Sequence, residues 1–181
     1  PRGDTQEQGY TIRPASPDDC EAIANLVREL AVYEKLEDQA KATGDDFRRH
    51  LFGSRKHAEA IVAESGGVPI GFALFFHTFS TFRGQPGIYL EDLFVQPEFR
   101  GRGVGKGLLS SVARIAADRG CGRLEWAVLD WNSPAIGFYE SLGARPMSEW
   151  TVYRIDDESL GRLASVAPPP SQSVTGDSRL G

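Results

Sequence analysis

The feature that most constrains this chain is an eleven-residue stretch, Val95-Gln96-Pro97-Glu98-Phe99-Arg100-Gly101-Arg102-Gly103-Val104-Gly105. It lies between a β-rich run, Ile88 to Val95, and an apolar stripe at helical spacing, Val104, Leu108, Leu109, Val112, Ile115 and Ala116. Gly120 follows as a helix-ending residue. A strand, a glycine-rich turn and a helix N-terminus in this order form an anion site. Glycines let the backbone approach a phosphate, successive N–H groups converge on its oxygens, and the helix dipole adds about half a positive charge. Two familiar nucleotide loops fail on spacing. The P-loop needs Gly, four residues, then Gly-Lys-Ser/Thr, whereas Gly105-Lys106 is followed by Gly107 and position 100 is Arg. The Rossmann fingerprint needs a glycine or alanine three residues after its second glycine, where this chain has Lys106 or Leu108.

The rest of the chain surrounds that turn with alternating strands and helices. Thr11 to Arg13 is a short strand candidate, and Pro14 to Asp19 supplies turn and N-cap chemistry. Ile23, Leu26, Val27, Leu30 and Ala31 then mark a helix running to about Tyr33, and Asp45 to Phe52 a shorter one. Ala58–Ala63 and Ile70–Phe76 are β-rich and joined by Gly66-Gly67, which predicts a hairpin. Arg123–Leu129 returns to strand, Pro134–Leu142 to a helix closed by Gly143, and Trp150–Ile155 to a last strand. The order β-α-α-β-β-β-α-β-α-β predicts an α/β (α+β) fold, a mixed sheet with helices on both faces.

At 181 residues the chain fits one domain, expected over 10–164, with a flexible segment at 1–9. Residues 165–181, with Pro168-Pro169-Pro170, are expected to be a disordered tail. No apolar run approaches the roughly 20 residues of a membrane span, and the polar Pro1–Gly9 resembles neither a signal nor a transit peptide, so a cytoplasmic protein without membrane attachment is expected. The net charge of −5 disfavours nucleic acid as a partner and mildly favours cationic ligands. Two cysteines, Cys20 and Cys121, have no His/Cys spacing that would seat zinc, so neither a metal nor a disulfide is expected.

The glycine turn does fit Arg/Gln-x-x-Gly-x-Gly/Ala, realised as Arg100-Gly101-Arg102-Gly103-Val104-Gly105. That is the pyrophosphate signature of the Gcn5-related N-acetyltransferases (GNAT). From about Tyr10 to Leu163 the chain resembles the diamine acetyltransferases of that superfamily, the spermidine/spermine N1- and thialysine Nε-acetyltransferase group. The matching segments are Ile12–Ala15, Glu29–Leu36, Tyr89–Val95, Val128–Asn132 and Phe138–Ala144. The resemblance implies a sheet of about six to seven strands with a V-shaped cofactor cleft between the Ile88–Val95 and Arg123–Leu129 strands. It also implies acetyl-CoA as co-substrate, direct transfer to a small cationic amine, and a homodimer.

Residue roles follow from the same resemblance. Tyr139 would protonate the departing thiolate, and Glu91, through a water, would take the proton of the amine. Arg100, Gly101, Arg102, Gly103, Val104 and Gly105 would hold the pyrophosphate, while Phe94, Val95 and Asn132, with Tyr139, would line the pantetheine arm. Tyr33, Glu34, Phe82, Glu91, Asp92 and Trp150 would shape the amine pocket, partly across the dimer. Each residue also has a plainer reading. Tyr139 reads as a helix aromatic, Glu91 and Asp92 as strand-end charges, Asn132 or Ser133 as a helix cap, Phe94 and Val95 as core, and Glu34 as a solvated helix-end charge. Strand alternation puts Glu91 and Asp92 on opposite faces, which predicts separate roles. Relatives usually carry Trp where Phe82 stands, which leaves the amine open. His50, His57 and His77 have no carboxylate or nucleophile nearby in sequence, so none is assigned a role. The other readings are an acetyltransferase for an amino-acid or antibiotic amine, and a catalytically silent acyl-CoA-binding regulator.

Overall fold

A computed structural model describes residues 9–168. Residues 1–8 of the expected flexible segment and most of the expected tail 165–181 lie outside the described residues. Strands β1 (Thr11–Pro14), β2 (Glu59–Ser65), β3 (Val68–Ser80), β4 (Gln85–Val95) and β5 (Leu124–Glu125) form one sheet in chain order. The first four are antiparallel, and β5 joins β4 in parallel. Gly66 and Gly67 both take positive φ, 58° and 80°, the conformation that a two-residue turn between β2 and β3 requires.

Helix α1 (Cys20–Glu34) is anchored at its start by a buried carboxylate. Asp19 receives two N–H bonds from Arg13 at 2.8 and 2.9 Å, and bonds from the Ser16 amide and hydroxyl at 2.7 and 2.9 Å. Arg13 also donates from Nε to Glu64 at 2.8 Å, so one guanidinium ties β1, β2 and the entrance of α1 together. The Arg13 bonds hold the Asp19 carboxyl well below its usual range, at about 2. The shorter helix expected over 45–52 is one α-turn, α2 (Gly44–Phe47), running into a π-helical turn, Arg48–Phe52.

Helices cover both faces of the sheet. Ile23 and Leu26 of α1 join Val62, Phe72, Leu74 and Phe94 in one buried cluster. Side chains alternate along a strand, so the neighbours of these strand residues face the other way, where α3 (Val104–Asp118) buries Val104, Leu108, Leu109, Val112 and Ala116. Strand β4 serves both cores. Leu90 pairs with Phe75, but Asp92 pairs with Leu74, leaving Glu91 as an extra residue in the ladder. This β-bulge puts Ile88 and Leu90 on the face opposite Asp92 and Phe94, although all four have even numbers.

Among the described residues the sheet has five strands, not the six or seven expected. The strand expected over 123–129 is reduced to Leu124–Glu125, because it pairs with β4 only at Ile88 and Tyr89, before the bulge turns β4 away. Trp150–Ile155 is not a strand: Val152 and Tyr153 are about nine-tenths exposed, and without a ladder partner β-branched and aromatic residues do not make a strand.

The chain divides into two compact units, one up to Ser133 and one from Pro134. The second contains α4 (Ser133–Ser141), which begins at the division, and α5 (Asp157–Ser165), which the periodicity did not predict. Gly143 follows α4 in the left-handed region, with φ 89°. Neither helix has a buried residue.

Candidate active site

The glycine turn sits where it was expected, at the entrance of α3. Gly101 and Gly103 have φ of 74° and 81°, and Gly103 is the N-cap, its carbonyl accepting from the Gly107 amide at 2.8 Å. The amides of Val104, Gly105 and Lys106 therefore fall in the first helical turn, where no intrahelical carbonyl is available. Added Cβ atoms at Gly101 and Gly103 would meet nothing closer than the Tyr10 hydroxyl at 3.8 Å, so the backbone conformation, not crowding, is what demands glycine. A left-handed cradle with open space above it, flanked by Arg102 and Lys106, fits the pyrophosphate of a coenzyme.

Arg100 is exposed, but its guanidinium is engaged by the protein itself. Its Nε donates to the Val95 carbonyl at 2.9 Å, and its guanidinium lies over the rings of Tyr33, at 4.8 Å, and Phe94, at 5.4 Å. The Arg102 guanidinium lies 5.5 Å from the Phe99 ring.

Beyond Tyr89 the edges of β4 and β5 part, so Glu91 to Val95 have no β5 partner among the described residues. That opening is the V-shaped cleft, and it leaves backbone groups of β4 available to an extended arm as an added strand would use them. Phe94 and Val95 are buried, so their side chains are core and only their backbones face the gap. Asn132, the residue before α4, is buried and accepts from the Tyr33 hydroxyl at 3.1 Å.

Glu34, Glu91 and Asp92 gather around the bulge. Half-buried Asp92 has its carboxyl pushed up to about 6, first by burial and then by the negative charges of Glu91 and Glu34. Burial also raises the Glu34 carboxyl. Among the described residues none of the three makes an ion pair. Strict alternation fails at this point: Glu91 is the unpaired bulge residue, and its charge acts on Asp92 instead of being isolated on another face. The sequence offered no signal for this, since Leu90-Glu91-Asp92-Leu93 contains no glycine.

Phe82 is fully exposed in the turn joining β3 to β4. Six steps of β4 separate Gln85, at the start of the strand, from Glu91, so this tip lies roughly 20 Å from the bulge along the hairpin, and a single chain does not bring Phe82 to the carboxylates. In the second unit Tyr139 lies on α4 with its ring 5.4 Å from that of Phe138, and Trp150 is exposed between α4 and α5.

A family description of the acetyltransferase (GNAT) family matches residues 22–144. The chain belongs to the GNAT acetyltransferase family. It is 40% identical to thialysine N-epsilon-acetyltransferase of Bos taurus over 84% of this chain and 96% of that protein. It is 31% identical to L-ornithine N5-acetyltransferase of Arabidopsis thaliana over 82% of this chain and 85% of that one. Among solved structures, an integron cassette protein from the mobile metagenome of V. cholerae matches with a TM-score of 0.73 and 29% identity, covering 86% of this chain and 98% of the other. This GNAT enzyme has its glycine turn, strand opening and bulge in the first unit, and Tyr139 in the second.

Proposed function

We propose that this protein transfers an acetyl group from acetyl-CoA to the primary amine of a small cationic substrate, a diamine or a lysine-like amine. The observation that carries this reading is the group formed by Glu34, Glu91 and Asp92, with no ion pair among the described residues and with one carboxyl raised to about 6. A carboxyl whose proton affinity is raised by burial and by two neighbouring negative charges is relieved by a cation. The relatives named above, which act on thialysine and ornithine by their names, support the same class.

The Gly101–Gly105 turn would hold the pyrophosphate, and Phe94, Val95 and Asn132 the pantetheine arm. The coenzyme supplies an acetyl thioester. Asp92 and Glu34 would attract the charged end of the substrate, while Glu91, exposed at the bulge, would pass the proton of the attacking amine to water. An alkylamine is protonated near neutrality and must lose that proton to attack. Tyr139 would give its phenolic proton to the departing sulfur, and neither cysteine is needed as an acyl carrier. The distance of Phe82 from the carboxylates supports a homodimer in which the hairpin tip of one copy closes the pocket of its partner. No described helix is long and apolar enough to cross a membrane, and cytoplasmic residence is part of the proposal.

The test is release of free coenzyme thiol with thialysine, lysine, ornithine, putrescine, spermidine and a neutral amine of matched length, at two salt concentrations. The cationic substrates are expected to exceed the neutral amine several-fold in kcat/KM at low salt, and this margin should shrink at 1 M, where screening acts within about 3 Å. Equal acetylation of the neutral amine would overturn the substrate class. No thiol release with any amine, despite tight coenzyme binding, would favour a silent acyl-CoA-binding regulator.

A further inference from the structure

The resemblance implies that Tyr33 belongs to the amine pocket, but its contacts point elsewhere. The Arg100 guanidinium lies 4.8 Å from the centre of its ring, and its hydroxyl donates to Asn132 at 3.1 Å. Arg100 belongs to the phosphate turn and is fixed to the end of β4 through the Val95 carbonyl. Asn132 belongs to the turn before α4, where the Asn132 amide bonds the Leu129 carbonyl at 2.8 Å and the Ser133 amide bonds Trp131 at 2.9 Å. Tyr33 thus touches residues on both sides of the opening between β4 and β5.

Its neighbours on α1 repeat the pattern. Glu29, one turn earlier, accepts from Gln96 Nε2 at 3.0 Å, on the phosphate-turn side. Lys35 lies 5.3 Å from the Trp131 ring, on the Asn132 side, and the Tyr33 and Trp131 rings are 6.1 Å apart. The last turns of α1 therefore bridge the two walls. Lys35 ends the helix in the left-handed region, φ 60°, which fixes where that bridge stops.

We propose that Tyr33 is a positioning residue for the coenzyme: held between Arg100 and Asn132, it sets the separation of the phosphate turn from the residue that receives the pantetheine arm. The inference rests on the acetyl-CoA reading above. It gives Arg100 the part of a strut, with phosphate contact left to the backbone of Gly101 to Gly105. Losing the phenol hydroxyl leaves the ring under Arg100 and releases only the Asn132 side, so the two halves of the coenzyme respond differently.

The experiment measures the Kd of coenzyme A, and of its fragment 3′-phospho-ADP, for the parent and for Tyr33→Phe, together with both KM values. Tyr33→Phe is expected to weaken coenzyme A about five-fold, the size of one hydrogen bond exchanged with water, and to leave 3′-phospho-ADP within about two-fold. KM for acetyl-CoA should rise and KM for the amine stay within about two-fold, with kcat little changed. In a double-mutant cycle with Asn132→Ala, whose own loss is expected to be larger, Tyr33→Phe should add almost nothing to the coenzyme loss, because the bond it cuts is already gone. Tyr33→Leu, which also removes the ring under Arg100, should weaken the fragment as well. A rise in KM for the amine alone would return Tyr33 to the amine pocket and overturn the inference, as would an unchanged coenzyme Kd in Tyr33→Phe or full additivity in the cycle. A parent protein that fails to bind coenzyme A would instead sink the acetyl-transfer reading on which this one stands.

Discussion

Helices α3 and α4 start from similar material and end differently. Each follows a glycine- or asparagine-bearing turn, and each is followed by a left-handed glycine, Gly120 with φ 69° and Gly143 with φ 89°. Yet α3 buries five side chains against the sheet, while α4, Ser133-Pro134-Ala135-Ile136-Gly137-Phe138-Tyr139-Glu140-Ser141, buries none. Helix ends are set by local chemistry, whereas burial needs an apolar stripe and a surface to receive it. In α3 the apolar residues recur at i, i+4, i+5, i+8 and i+12. Helix α4 has nine residues against fifteen, and no such stripe. The two helices would carry the two halves of the proposed chemistry: phosphate binding on a packed scaffold, and proton donation from an exposed helix.

The strongest way to break this comparison is at the chemical end. Tyr139→Phe should lower kcat on the order of 10²-fold while leaving the Kd of coenzyme A unchanged, because only the proton donor is removed. A kcat within about three-fold of the parent would take Tyr139, and with it α4, out of the mechanism.

At the α3 end the expected loss is in binding. Gly103→Val forces a β-branched residue to φ 81°, at a cost of roughly 1–2 kcal/mol or more, and should weaken coenzyme A about ten-fold or beyond while sparing pantetheine, which lacks the pyrophosphate. Calorimetric titration with both ligands checks this, and equal weakening would mean that the turn does not hold the pyrophosphate.

Between the two lies the carboxylate group. Asp92 is neutral below about 6 and charged above it, and a cationic amine binds the charged form. KM for the amine should therefore fall several-fold as pH rises from 5 to 7 in the parent, and this component of the profile should vanish in Asp92→Asn. Stability takes the opposite sign. A raised carboxyl favours folding while protonated, and that contribution is lost as pH rises from the ordinary carboxylate range to about 6, so denaturant midpoints of the parent should slip relative to Asp92→Asn between about pH 4 and 6 and stay level above it.

The smallest effect concerns α4 itself. A Cβ at Gly137 would meet no other atom within 4 Å, so Gly137→Ala should stabilise the helix by up to about 1 kcal/mol without touching the chemistry. A substantial destabilisation, read by thermal unfolding, would mean that α4 is packed where the described chain shows it exposed.

Legibility in the sequence follows the range of the interactions involved. The stripe of α1, the Gly66-Gly67 hairpin, the entrance of α3 at Gly103 and the ends of α4 could be read from spacing and turn residues, because neighbours a few positions away determine them. The glycine turn was legible for the same reason. Three features were not. The bulge at Glu91 depends on how β4 meets β3, the contact of Arg100 with Tyr33 joins residues 67 positions apart in sequence, and the failure of Trp150–Ile155 to form a strand depends on a partner the local pattern cannot supply. Glu34 and Asp92 were nominated by resemblance, but the proximity that raises the Asp92 carboxyl became visible only in three dimensions.

The bulge also makes one position of β4 separable from the rest. Ladder pairing runs from Leu90 to Asp92 across Phe75 and Leu74, which are consecutive, so the sheet does not count Glu91 at all. Deleting Tyr89 or Leu93 would shift the residues on one side of the cut by a single step and turn apolar side chains outward. Deleting Glu91 would instead join two segments that already face the right way, closing the strand into a regular one. A shortened chain lacking only that residue would keep both cores, with a flatter β4 and without the carboxylate at its kink, so at this one site the architecture of the sheet and the chemistry of the cleft can be removed from each other.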